Sequence, residues 1–222
     1  MNLLLLGDEC RIAEIREKIA VDEHTVGVND LNFKKYDLII DCNFDEHMAY
    51  LNDYITLPNT LVLLGTVKYQ LAALLSDVPK NDVLCTIAGL NSLPTFLNRD
   101  LWELSVWNET SAADVAEKMA VLAIDYQIVQ DRVGMVTPRV ICMIINEACY
   151  TLQEGTASID AINQAMKLGT RYPYGPFEWA NKIGVKHVYE TLAALYDDTK
   201  DERYKICPLL KTYYLNKTEE IK

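Results

Sequence analysis

Leu3-Leu4-Leu5-Leu6-Gly7-Asp8-Glu9 opens the chain with an apolar run that stops at a glycine and gives way to acids. The run does not alternate, so it reads as a strand buried on both faces. Behind it, Ile12, Ile15 and Ile19 recur at helical spacing within Arg11 to Ala20. Strand, glycine, helix is the opening of a parallel α/β unit, and the pattern continues outward. Thr25 to Val28, Leu38 to Asp41, Leu61 to Leu64, Val83 to Ile87 and Leu101 to Val106 read as further strands, with helices over Phe44 to Ile55 and Tyr69 to Leu75. Apolar strands alternating with helices predict a doubly wound, mostly parallel sheet over residues 1–107. One link is short: nine residues, Asn29 to Asp37, separate two strands, where a parallel crossover needs about a dozen or more. The sheet is therefore expected in reduced form.

From Ser111 the pattern becomes helical. Ser111 and Asp114 form a loose capping pair for a helix reaching about Tyr126. Thr137 is placed to cap the next helix, with Pro138 at its first position and Gly155 just past its end. Val140, Ile141, Ile144, Ile145, Ala148 and Leu152 give that helix one broad apolar face, as in a core or a dimer interface. Further helices are expected from Ser158 to Leu168, Phe177 to Ile183 and Val185 to Tyr196. Residues 108–222 thus read as a separate all-α domain.

The 222 residues carry 21 Lys and Arg against 32 Asp and Glu, a net charge of −11. That excludes a phosphate-tracking nucleic-acid binder and disfavours anionic membrane surfaces. No stretch is long and apolar enough to span a bilayer. The six cysteines are scattered without a C-x-x-C, and no export signal precedes them, so they read as reduced thiols of a cytoplasmic protein. His24, His47 and His187 stand at no metal-ligand spacing, and no metal site is expected. His47 and His187 read as a surface and a packing histidine rather than as catalytic bases.

Gly7 lies where a dinucleotide-binding G-x-G-x-x-G would begin, and Asp30, 23 residues on, lies where an acid would take the adenosine ribose. Glu9 and Ile12 stand at the second and third glycine positions. The Glu9 side chain blocks the close approach of a pyrophosphate and puts a carboxylate at a helix N-terminus that favours an anion. Two like charges about 4 Å apart cost roughly 4 kcal/mol at an effective dielectric near 20.

Asp131-Arg-Val-Gly134, Ile145-Asn146-Glu147-Ala148, Glu154-Gly155, Ile159-Asp160, Ala165 to Gly169, Tyr172-Pro173, Gly175-Pro176-Phe177-Glu178-Trp179 and Ile183-Gly184 occur in that order over about 85 residues. This series resembles the C-terminal domain of 3-hydroxyacyl-CoA dehydrogenases. Asp201 to Tyr204 and Pro208 to Leu210 look like the bacterial short-chain branch. The resemblance reaches back to His24-Thr25-Val26, Asp30, Gly89-Leu90 and Glu103. It implies a Rossmann-like domain, NAD as cofactor with Gly7 and Asp30 holding it, a helical dimerisation domain, and oxidation of a short-chain 3-hydroxyacyl-CoA.

The same resemblance puts Asn91 at the position of the family's catalytic histidine and Glu103 at that of its orienting glutamate, twelve residues later. A carboxamide takes up no proton at neutral pH. The family's substrate-holding asparagine falls on Pro138, and its serine falls around Lys68 to Gln70, where there is none. Two readings stand. One is a diverged NAD-dependent dehydrogenase. The other is a non-catalytic homodimeric relative that binds acyl-CoA or a partner protein.

Overall fold

The computed structural model describes residues 2–19 and 32–222, which form two compact units divided after Met135. The first is a six-stranded sheet: β1 (Leu3–Leu6), β2 (Leu38–Asp41), β3 (Leu61–Gly65), β4 (Thr86–Leu90), β5 (Leu101–Ser105) and β6 (Asp125–Val129). Adjacent strands are parallel except β4 and β5, which run antiparallel through the loop 91–100. Among the described strands the order follows the chain, β1 to β6. The strand expected at Thr25 to Val28, and Asp30 after it, lie outside the described residues.

Both faces of the sheet are covered, as the unalternating strands require. On one face Leu3, Leu5, Leu38, Ile40, Leu61 and Leu63 pack with Ile12 and Ile15 of α1 (Glu9–Arg16) and with Val115 and Met119 of α5 (Glu109–Met119). On the other, Leu4, Leu6, Ile39, Val62 and Leu64 meet Phe44 of α2 (Phe44–His47), Tyr54 of α3 (Leu51–Tyr54) and Leu71 of α4 (Leu71–Leu74). This is the doubly wound, Rossmann-like arrangement.

Four expectations are corrected. The helix read over Phe44 to Ile55 is two short helices, because Met48 turns left-handed at φ +48°. The strand read at Val83 to Ile87 lies three residues later, after a 3₁₀ turn at Lys80–Asp82. The helix from Ser111 stops at Met119, and β6 follows it. Ile124, Tyr126 and Ile128 alternate with exposed Asp125 and Gln127, a period-two signal that belongs to a strand. Because β6 pairs with β5, the sheet continues past residue 107 and the helical unit begins at Val136.

That unit comprises α6 (Thr137–Gln153), α7 (Ile159–Thr170), α8 (Pro176–Ile183), α9 (Val185–Thr199) and α10 (Pro208–Leu215). Here the fourth correction falls: Val136 is the N-cap of α6, no side chain caps it, and Thr137 is its first helical residue. Gly155 follows the end of α6 at φ +70°, and the Ser158 hydroxyl caps α7 by accepting from the Ala161 N–H at 3.3 Å.

Candidate functional site

The turn between β1 and α1 is built without room to spare. A Cβ on Gly7 would lie 2.9 Å from the Cys42 Cβ and 3.0 Å from the Asn43 Oδ1. The Asp8 N–H donates to the Asn43 Oδ1 at 3.0 Å, and the Asp8 carboxylate caps α1 by accepting from the Arg11 N–H at 3.0 Å. Arg11 is 1% exposed, and its guanidinium donates to the Cys42 carbonyl at 2.9 Å and to the Glu46 Oε1 at 3.1 Å. Its Nε lies 3.3 Å from the Asp8 Oδ2. Glu9, the first residue of α1, is exposed, and Ile12 at the third glycine position is core. The carboxylate that fills this helix N-terminus is therefore that of Asp8. Asp8, Arg11 and Asn43 were missed in the sequence, although an arginine beside the apolar stripe of α1 was a visible signal.

Asn91 and Glu103 come together. Leu90 pairs with Leu104, and the Asn91 N–H donates to the Glu103 carbonyl at 3.0 Å. Residues opposite each other on antiparallel strands send their side chains to one face of the sheet. Asn91 is 3% exposed, and its Oδ1 has no hydrogen-bond partner among the described residues. The loop beyond it is fixed from elsewhere. The Glu14 carboxylate of α1 accepts from Thr95 N–H at 2.7 Å and Leu97 N–H at 3.1 Å, and holds Thr95 at φ +78°. A β-branched residue pays about 1–3 kcal/mol for such a backbone. The Ser92 hydroxyl donates to the Cys42 carbonyl at 2.7 Å.

His47 has its contacts elsewhere. The His47 Nδ1 accepts from the Ala49 N–H at 3.5 Å, and its Nε2 lies 3.6 Å from the Asp41 Oδ1. Asp41 is fully buried, accepts from the Tyr54 hydroxyl at 3.0 Å, and is pushed up to about 6 by that burial. Beside it, buried Asp45 and Lys68 stand 3.6 Å apart. Burial raises the Asp45 carboxyl too. His187 lies on α9 in the helical unit.

The ordered series that carries the resemblance is structural wherever its contacts are visible. Asp131 accepts from the N–H groups of Leu71 and Ala72 at 2.9 and 2.8 Å, capping α4. Gly134, at φ +79°, donates to the Val67 carbonyl at 2.6 Å. Asn146 accepts from the Cys207 N–H at 2.8 Å and donates to the Lys205 carbonyl at 3.0 Å. Glu178 accepts from the Gly175 N–H at 2.8 Å and pairs with Lys167 at 2.6 Å. A Cβ on Gly175 would sit 2.5 Å from the Asn163 Cα, whereas nothing lies within 4 Å of one on Gly169. Gly169 sits inside α7, so Gly169→Ala is expected to stabilise the helical unit by about 0.5–1 kcal/mol. Chemical denaturation followed by circular dichroism checks this, and a lower midpoint refutes it.

Charge separates the units. Residues 1–135 hold 10 Lys and Arg against 21 Asp and Glu, a net of −11, while residues 136–222 hold 11 of each, a net of zero.

A doubly wound α/β unit followed by an all-α unit is a two-part class of fold. Residues 134–220 match the family profile of the 3-hydroxyacyl-CoA dehydrogenase C-terminal domain. A Bacillus subtilis protein named "Probable 3-hydroxybutyryl-CoA dehydrogenase" is 30% identical over 164 residues, covering 72% of this chain and 56% of the relative. The Escherichia coli 3-hydroxyadipyl-CoA dehydrogenase is 42% identical over 83 residues, covering 37% of this chain and 18% of its own. The crystal structure of (S)-3-hydroxybutyryl-CoA dehydrogenase from Ralstonia eutropha superposes with a TM-score of 0.74 at 20% identity, over 97% of this chain and 93% of that one. The chain belongs to the 3-hydroxyacyl-CoA dehydrogenase family. It spans about half the length of the first curated relatives it matches.

Proposed function

We propose that this chain is a non-catalytic member of the family, a dimeric protein of the cytoplasm that binds acyl-CoA or a partner protein and transfers no hydride. One observation carries the reading: the turn after β1 is closed by the chain's own Asp8 and Asn43, with Arg11 locked between Asp8, Cys42 and Glu46. The residues do not fit a dinucleotide. The Asp8 and Arg11 N–H groups already have acceptors, and Asp8, Glu9 and Glu46 line the place with carboxylates. A net charge of −11 on this unit opposes a pyrophosphate further. Asn91, at the base position, cannot take the hydroxyl proton. Exposed Val136 and Val140 beside half-buried Met143 and Ile144 on α6 support dimerisation through the helical unit.

The second reading is a working NAD-dependent dehydrogenase of short-chain 3-hydroxyacyl-CoA in fatty-acid metabolism. It is favoured by the juxtaposition of Asn91 and Glu103, and by the names of the relatives. In it Gly7 and Asp30 hold the cofactor and Glu103 remains in the site. Calorimetric titration with NADH separates the two. The first predicts no heat of binding at millimolar NADH. Micromolar binding overturns it and makes turnover of acetoacetyl-CoA the next measurement.

A further inference from the structure

We infer that the helical unit carries a recognition groove for an extended peptide, and that Ile221 is the resident occupant of the main-chain seat at one end of it. The groove, about 690 Å³, runs between the end of α6, the start of α7 and α8. Its floor is apolar, with Leu152, Ile159 and Phe177, and its rim is acidic, with Asp160 and Glu178. At one end Asn181 of α8 accepts from the Ile221 N–H at 2.8 Å and donates to the Ile221 carbonyl at 3.1 Å. One carboxamide thus satisfies the donor and the acceptor of a single residue, as a neighbouring strand would. That grip reads main chain, not side chain, and any extended segment meets it.

Specificity then falls to the side chain. Ile221 is 3% exposed, while Glu220 and Lys222 on either side are exposed, which is the alternation of a strand. Ile221 lines the groove rather than filling it, so a longer segment has room to lie there. The ligand class is an extended peptide with a branched aliphatic side chain beside Asn181. All the residues of this site belong to the helical unit, and the inference does not depend on whether NAD binds the α/β unit.

A tethered occupant competes at an effective concentration of order millimolar, so a free peptide binds the intact chain about tenfold or more weakly than a chain whose tail is released. The test uses a fluorescently labelled peptide with the sequence Lys217–Lys222, read by anisotropy. Ile221→Asp puts a charge in the apolar seat and releases the tail. The labelled peptide is expected to bind this variant at least tenfold more tightly than the unaltered chain. Binding is lost when Asn181→Ala is added, and when the peptide itself carries aspartate in place of its isoleucine. A folded Ile221→Asp chain that takes no peptide at millimolar concentration overturns the inference, as does binding indifferent to Asn181→Ala. If Ile221→Asp does not fold, the Ile221 backbone amide of the nitrogen-15-labelled unaltered chain, which unlabelled peptide would displace from Asn181, is followed by NMR. Saturating peptide must shift that signal, and a signal that stays in place is equally fatal.

Discussion

Gly65→Ala is expected to abolish or nearly abolish the folded α/β unit, with a loss of roughly 3–5 kcal/mol. A Cβ at this position would sit 2.4 Å from the Cys42 carbonyl oxygen and 2.3 Å from the Ser92 hydroxyl oxygen. The hydroxyl can rotate away, but the carbonyl belongs to the backbone at the end of β2. That carbonyl accepts from both Arg11 and Ser92, so displacing it breaks two buried hydrogen bonds as well. Gly89→Ala is the control. Its Cβ would meet the Thr66 and Ser105 hydroxyls at 2.4 and 2.5 Å and the Met135 methyl at 3.3 Å, all of them side-chain atoms that can shift. A smaller loss of about 1–3 kcal/mol is expected there. Urea unfolding of both variants settles the ranking. If Gly65→Ala costs no more than Gly89→Ala, the end of β2 is more yielding than these distances imply.

Asp41→Asn is expected to stabilise the chain at pH 8 and to make no such gain at pH 4. Burial holds the Asp41 carboxyl at about 6, against an ordinary value of 3.8. Between those two pH values the folded chain keeps a proton that the unfolded chain has released. Stability present below pH 3.8 is therefore lost as pH rises through 6. Two pK units correspond to about 3 kcal/mol. That figure already contains the help the carboxylate gets from His47 and the Tyr54 hydroxyl and the opposition of Asp45. Asparagine loses about 1–2 kcal/mol of it by burying an amide N–H without an acceptor, so a net gain of about 1–2 kcal/mol is expected at pH 8. Asp45 is shifted in the same direction, so the difference between variant and parent is the quantity to measure, by urea titration at both pH values. Destabilisation at pH 8 would mean that the contacts with Tyr54 and His47 outweigh the cost of burying the charge.

What could be read in the amino acids depended on range. β1, β2 and the span of α6 were legible because an apolar run or a broad apolar stripe is a local property. β6 was lost because Ser111 and Asp114 suggested a helix, which masked the alternation that begins at Ile124. The meeting of Asn91 and Glu103 was anticipated through the family's pattern, and the antiparallel turn of β4 into β5 is what achieves it. Arg11 with Glu46, and Asp41 with Tyr54, could not be anticipated. Which buried charges meet is decided by strand order and register, and no spacing along the chain encodes that.

The strand order has a consequence for how the α/β unit assembles. Among the described strands, Leu3 pairs with Leu38, Leu38 with Leu61 and Leu61 with Thr86, so each of these pairings joins successive members of that set. Short closures forfeit little loop entropy, and folds rich in them form quickly. Each of β2, β3 and β4 can thus add to the described strand before it. Longer closures cross that order: Glu14 reaches Thr95 and Leu97, and Lys18 reaches Asp100, across 81 to 83 residues. These contacts fasten α1 to the loop beside Asn91, and they form once the strands between are in place. The ground around Asn91 therefore sets later than the pairing of β1, β2 and β3.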